Sequence, residues 1–384
     1  MPRLLKRALL GLVVLALLLG AAALWKREEI TRLLAVNSLF DAPRIVDNFS
    51  HMDRLFLTQP LSRGDGAVSP LPLGTAATLP PQVDRWIKDR AITALVVLKD
   101  GAIVHESYHL GTTPEDLRIS WSMAKSLLSA LFGVVMSEGA IASLDDPVLR
   151  YVPSLKGSAY DGATIRQVLN MTSGVAFNED YLDFNSDINK MGRVLALGGS
   201  MDAFAAGLKI RDADPGTAWH YVSIDTHVIG MVIRGATGKD IPELLESRIL
   251  GPLGLEAAPY YITDGERVSF VLGGLNMRTR DYARFGQMIL QRGQWQGQQV
   301  VPADWVDASI AASAPGGAGY GYQWWVPENA VPGEVMAQGI YGQYIYINRA
   351  AGVVIAVNAA DRGFEDPGVD TGNIALFREI AAGL

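Results

Sequence analysis

The sequence predicts an α+β (α/β) fold, a central antiparallel sheet with flanking helices plus a mostly helical insert, behind one N-terminal transmembrane helix. Three observations carry this. β-rich runs lie at both ends of the body, within residues 94–104 and 341–358. The apolar spacing between them is helical, which calls for one sheet assembled from distant segments. The chain also opens on an uncharged apolar run, residues 8–25, between positive flanks.

The N-terminal element follows from charge and length. Arg3, Lys6 and Arg7 precede the run, and Lys26 and Arg27 close it. Its eighteen residues cover about 27 Å at helical rise, close to the hydrocarbon thickness of a bilayer. The flanking charges place the N-terminus in the cytoplasm and the remaining chain outside, on the periplasmic side, as a single-pass membrane protein. The alternative is a signal peptide cleaved near Ala21, Ala22 and Ala23, with secretion to the periplasm. Residues 1–25 are thus the anchor or signal. Residues 26–84, with Pro60, Pro70, Pro72, Pro80 and Pro81, read as an extended connector. Residues 85–384 form the body.

Within the body, residues 94–98, a turn at Lys99, Asp100 and Gly101, and residues 102–104 form a hairpin. Residues 122–138 carry Ala124, Leu127, Leu128, Leu131, Val134 and Val135 at three- and four-residue spacing without proline, the pattern of a core helix. The insert spans about residues 145–255 and contains helices at 164–171 and 226–237. A second hairpin joins 341–348 to 353–358, and residues 373–382 form a final helix.

Composition narrows the function. With 49% hydrophobic and 19% charged residues in 384, the chain can bury a large core. A net charge of -7 argues against a nucleic-acid partner. The absence of Cys removes disulfides, thiol nucleophiles and thiolate metal sites.

The chemistry centres on Ser122, Met123, Ala124 and Lys125 at the start of the apolar helix. A spacing of three sets the Lys amine beside the Ser hydroxyl. Burial near the positive end of the helix disfavours the ammonium, so a neutral amine can take the hydroxyl proton and activate a weak nucleophile. Taken alone, the pair also fits a capping Ser with a solvated Lys. Tyr221-Val222-Ser223 and Ala337-Gln338-Gly339-Ile340, the latter just before a strand, add to it.

In order and spacing these segments resemble the serine β-lactamase and penicillin-binding-protein superfamily, in particular its class C β-lactamase-like branch. Pro215-Gly216-Thr217, Gly251-Pro252-Leu253-Gly254, the segment from Thr279 to Gly286 and that from Tyr320 to Trp325 share the resemblance, which covers about residues 85–384. Residues 168–174 and 337–343 look most like the 6-aminohexanoate-dimer hydrolase group, whose members cleave small amides and esters. The resemblance implies a β-lactamase/transpeptidase-like fold and a serine hydrolase that needs no cofactor or metal. It also implies Tyr221 as a second proton carrier opposite Lys125, with Ser223 completing the polar network. The backbone N–H groups of Ser122 and Ile340 would form the oxyanion hole, a strand-edge amide facing a helix-start amide.

Two positions depart from the family pattern. Ser223 stands where Asn is usual, and Ala337 replaces the first Lys of the triplet that continues with Gln338 and Gly339. That Lys normally pairs with a substrate carboxylate, so neutral esters and amides are the expected substrates unless Arg280, Arg284 or another cation reaches the pocket. Tyr181 and Asp187, within residues 178–189, are candidates for its substrate side. The string His105-Glu106-Ser107-Tyr108-His109 fits a zinc-protease motif, but it falls on a strand, where residues four apart are about 13 Å from each other. No Gly-x-Ser-x-Gly elbow occurs.

The expectation is hydrolysis of a small amide or ester through a Ser122 acyl-enzyme, with Lys125 and Tyr221 moving protons. The rivals are a β-lactamase or D-Ala-D-Ala carboxypeptidase on the same machinery, and a catalytically silent membrane-bound sensor.

Overall fold

The computed structural model describes residues 3–384. Helix α1 (Arg3–Trp25) is followed after one residue by α2 (Arg27–Asn37), then α3 (Ile45–Ser50) and strand β1 (Thr58–Pro60). The anchor expected at residues 8–25 falls within α1 and includes Ala22 and Ala23, whose side chains lie outside the described residues. Among the described residues no helix is long and apolar enough to cross a membrane.

Residues 26–84 are not an extended connector. Leu39, Ile45, Phe49, Met52, Phe56 and Leu61 are buried in the main core. Arg32 donates from Nε to the Ala196 carbonyl at 3.0 Å, and β1 adds to a sheet. Their apolar spacing lets these residues bury one face, and that outweighs the loop signal of the neighbouring prolines.

Helix α4 (Val83–Asp89) leads into strands β2 (Ile92–Lys99) and β3 (Ala102–Tyr108), then β4 (Arg118–Ile119) and helix α5 (Met123–Ser137). Asp100 and Gly101 take φ of +50° and +83° at the hairpin turn, the conformation that matches the twist of paired strands. The insert is largely helical, as expected: α6 (Ile165–Leu169), α7 (Asp187–Ala196), α8 (Met201–Gly207), α9 (Ser223–Thr237), α10 (Ile241–Leu245) and α11 (Gly251–Leu253). Thr164 and Gln167 close a reciprocal capping box that starts α6. Strands β5 (Tyr260–Ile262) and β6 (Leu275–Met277), helix α12 (Thr279–Leu290), a short ribbon of β7 (Gln294–Trp295) and β8 (Gln298–Gln299), and α13 (Ala303–Ser309) follow. The chain ends with β9 (Glu334–Gly339), β10 (Gln343–Asn348), β11 (Val353–Ala359) and α14 (Val369–Ala382).

The central sheet is antiparallel throughout, in the order β3-β2-β11-β10-β9. Its middle strands are buried on both faces, which is why they read as unbroken β-branched runs. Alternation divides the core. Val96, Leu98, Ile345 and Val354 face the cluster that contains α5 and α12, while Leu95, Val97 and Ile355 meet Val83, Leu376, Phe377 and Ile380 of α4 and α14. Gly286 allows the close approach of α12, since a Cβ there would stand 2.7 Å from both Ile345 and Val354. A second sheet, β1-β5-β6-β4, was not expected. Its strands of two or three residues are too short to show alternation in sequence. The zinc-protease string lies on β3 and its end, not on a helix, and His105 and His109 each place Nε2 3.0 Å from Ser107 Oγ.

Candidate active site

Ser122 sits at the junction of β4 and α5, immediately after Trp121, whose φ is +40°. A bulky residue in the left-handed region costs about 1–3 kcal/mol, and such strain clusters at functional sites. One turn along the helix, Lys125 is 1% exposed. Its Nζ lies 2.8 Å from Ser122 Oγ, 3.2 Å from Ser223 Oγ and 2.9 Å from the Leu272 carbonyl oxygen. Burial drives the amine down to about 7, against a smaller opposing pull from the Glu179 carboxylate. Near neutral pH a large fraction of Lys125 is therefore uncharged.

The neighbours of that amine fix its orientation. Ser223 donates its hydroxyl proton to Glu179 Oε1 and its backbone N–H to Oε2 at 2.9 Å. Ser223 Oγ and the Leu272 carbonyl are thus left as acceptors for the two N–H groups of a neutral amine. The remaining lone pair faces Ser122. Glu179, which also accepts the Tyr181 hydroxyl at 2.7 Å, was missed in the sequence. It lies in the loop that supplied Tyr181 and Asp187, two residues before Tyr181, and nothing in its local pattern marks it.

Tyr221 precedes α9, stacked on Trp325 with centroids 5.2 Å apart, and Lys125 Nζ stands 5.2 Å from its ring centroid. Burial, reinforced by the Glu179 charge, holds its pKa well above the ordinary value. Tyr221 is therefore a neutral phenol, able to pass a proton between neighbours.

Ile340 is the first residue of the turn joining β9 to β10, not a strand-edge residue, and Tyr341 after it takes φ of +59°. A Cβ on Gly339 would stand 2.7 Å from the Ser120 carbonyl oxygen and 3.0 Å from the Ser122 nitrogen, so this turn lies directly against the start of α5. Among the described residues neither the Ser122 nor the Ile340 N–H has an acceptor. Two unpartnered amides beside a nucleophile are the makings of an oxyanion hole.

Comparison with known proteins identifies the family. Residues 83–379 match the model of the family described as Beta-lactamase. The chain belongs to the β-lactamase family. It is 29% identical over 347 residues to the 6-aminohexanoate-dimer hydrolase of Paenarthrobacter ureafaciens, covering 84% of this chain and 88% of that one. It is 26% identical over 167 residues to Esterase EstB of Burkholderia gladioli, covering 38% and 39%. A structure described as a 6-aminohexanoate-dimer hydrolase from Bacillus anthracis superposes with a TM-score of 0.79 at 24% identity, over 89% of this chain and 95% of that one. The expected β-lactamase/transpeptidase-like α+β fold is present, and the chain is a serine hydrolase of this family.

The other candidate residues of this β-lactamase-family chain divide. Tyr181 reaches the wall of a cavity of about 270 Å³ that opens beside Ser122, along with Ser223, Ile340 and Tyr341. Asp187 is not on that wall. It is the first residue of α7, where it accepts the Asn178 N–H at 2.9 Å and pairs with Lys190, pinning the loop. Gln338 turns away to donate to Asp370 at 2.8 Å. Arg280 forms a two-bond pair with Glu106, and Arg284 is buried among Ser69, Asp281 and Glu256. Neither is on the cavity wall. The cation that does reach it is Arg193 of α7, a residue not singled out in the sequence.

The N-terminal segment also enters the site. Phe40 stacks on Tyr341 with centroids 4.5 Å apart, and Phe49 meets both Trp121 and Tyr341 edge-on at 5.6 and 5.7 Å. Both strained residues beside the two amides are thus held by aromatic rings from residues outside the family match.

Proposed function

We propose that this chain hydrolyses small amides or esters through a covalent Ser122 acyl-enzyme. The carrying observation is the 2.8 Å contact between Lys125 Nζ and Ser122 Oγ, with the other two neighbours of the amine being acceptors. The Ser122 hydroxyl gives its proton to neutral Lys125 as Oγ bonds to the substrate carbonyl carbon. The Ser122 and Ile340 N–H groups stabilise the resulting oxyanion. Tyr221 hands the proton on to the departing amine or alcohol as the C–N or C–O bond breaks. Water then repeats the sequence and frees the acid and Ser122. The 6-aminohexanoate-dimer hydrolase and esterase relatives support an amide and ester substrate class. Hydrolysis of p-nitrophenyl acetate by the wild-type chain, with acetyl-Ser122 trapped by acid quenching, is the expected result. Undiminished hydrolysis by Ser122→Ala would contradict it.

In the same reading the body is tethered outside the cytoplasm by the N-terminal helix. Support comes from Arg3, Lys6 and Arg7 ahead of an uncharged run and from exposed leucines along α1, such as Leu10 and Leu17 at 65% and 67%. Cell fractionation should recover the full-length chain in the membrane pellet. A soluble chain beginning near Leu24 would instead mean a cleaved signal.

A further inference from the structure

The cavity beside Ser122 is walled mostly by hydrocarbon. Val36 and Leu39 come from the N-terminal segment, Met191 and Leu195 from α7, Ile262 from β5, and Leu272 from the loop before β6. At about 270 Å³ it approaches the smaller ligand pockets of proteins. Among the described residues Arg193 is the one charged side chain on the wall. Its guanidinium lies 4.2 Å from the Phe184 ring centroid and donates to the Phe184 carbonyl at 2.8 Å, which ties it to the rim. Tyr221, which must meet the leaving group, is not part of the wall, whereas Ser122 and Ile340 are. The cavity therefore receives the side of the substrate that stays on the enzyme. Leu182 and Phe184, on the same wall, are 76% and 64% exposed, so the entrance is apolar as well.

We propose that this cavity is an acyl-chain site, and that the substrate is an ester or amide of a medium-length, unbranched aliphatic acid. The proposal rests on the Ser122 acyl-enzyme reading. It makes the N-terminal segment a specificity wall, since Val36 and Leu39 lie outside the residues that match the family. The acyl donor reaches the site from solution or from a lipid surface. Exposed Leu182 and Phe184 and the chain continuity of α2 with α1 fit both routes.

The test compares kcat/KM of the full chain for p-nitrophenyl acetate, butyrate and octanoate, with the octanoate presented in solution and in phosphatidylcholine vesicles. Burying methylenes should raise kcat/KM by about fourfold each until the cavity is full, so octanoate should exceed acetate by at least about thirtyfold. Met191→Trp, which fills the cavity, should cut the octanoate-to-acetate ratio at least about tenfold. A faster rate in vesicles assigns the lipid surface as the source, and an equal or slower one assigns solution; either keeps the acyl site. Acetate turnover through Ser122 with a flat or falling chain-length series would overturn the acyl site and leave the hydrolase reading standing. If no ester acylates Ser122, both fall.

Discussion

Lys125 Nζ stands 2.9 Å from the carbonyl oxygen of Leu272, an atom that can only accept a hydrogen bond. One amine N–H is therefore directed away from Ser122, and Ser223 takes a second. The amine is held as a base aimed at the serine, provided it is neutral.

Activity should follow that neutrality. Lys125 is depressed to about 7 by burial, so kcat/KM for a neutral ester should rise as pH increases through about 7 and then level. A rate that stays constant from acid to neutral pH would exclude Lys125 as the base.

Replacing the lysine should separate activity from stability. Lys125→Met should lose at least about a hundredfold in turnover, the scale of a missing general base. Unfolded, the lysine keeps its proton to about 10.5; folded, only to about 7. Between these values the unfolded state holds the extra proton, so wild-type stability rises with pH. Charged and buried, the lysine costs on the order of 5 kcal/mol. The variant should thus be more stable, most so at pH 7 and below, with the gain shrinking toward pH 10. Denaturant melts across that range check it.

Glu179 tunes the same amine. Its charge raises the Lys125 pKa and opposes the effect of burial. Glu179→Gln should therefore move the acid limb of the pH–rate profile to lower pH. A limb shifted upward, or unmoved while activity persists, would show that the carboxylate does not act on Lys125.

Asp225 offers an independent check on the buried electrostatics. It is fully buried on α9 and accepts the Tyr160 and Ser173 hydroxyls at 2.7 and 2.8 Å, while its Oδ2 has no partner among the described residues. Burial raises it from 3.8 to about 7. Over that window the folded state holds the extra proton, so this group's contribution to stability is greatest below 3.8 and is lost as pH rises through about 7. Asp225→Asn should raise the Tm at pH 8 and leave it nearly unchanged at pH 4.

Gly339→Ala tests the oxyanion hole. The added Cβ would crowd the Ser120 carbonyl and the Ser122 nitrogen at 2.7 and 3.0 Å and push the Ile340 amide out of line. A fall in kcat of about a hundredfold or more, with KM little changed, is the expected signature of losing one such donor. Wild-type kcat would remove Ile340 from the hole.

The sequence made the central elements legible because their physics is local. Residues 94–104 and 341–358 advertise strands through β-branching and turns, and α5 shows its core face in its spacing. Ser122, Lys125 and Tyr221 stood out through motif order. What stayed hidden depends on long-range contact. Glu179 matters because the 178–189 loop folds onto Ser223, 44 residues away. Residues 45, 49, 52 and 56 carry a helical apolar face, yet the nearby prolines dominated the reading of a connector. Tyr181 and Asp187 could not be told apart, since one points to the cavity and the other into its own loop. Arg193 reaches the cavity wall, whereas Arg280 and Arg284 are committed to Glu106, Asp281 and Glu256.

The most direct measurement is peptide-mapped labelling of the full chain by a fluorophosphonate as a function of pH. A single adduct on Ser122, forming faster as pH rises through about 7 and absent in Ser122→Ala, is the expected result. An adduct on another residue, or none on a folded chain, would contradict Ser122 as the nucleophile.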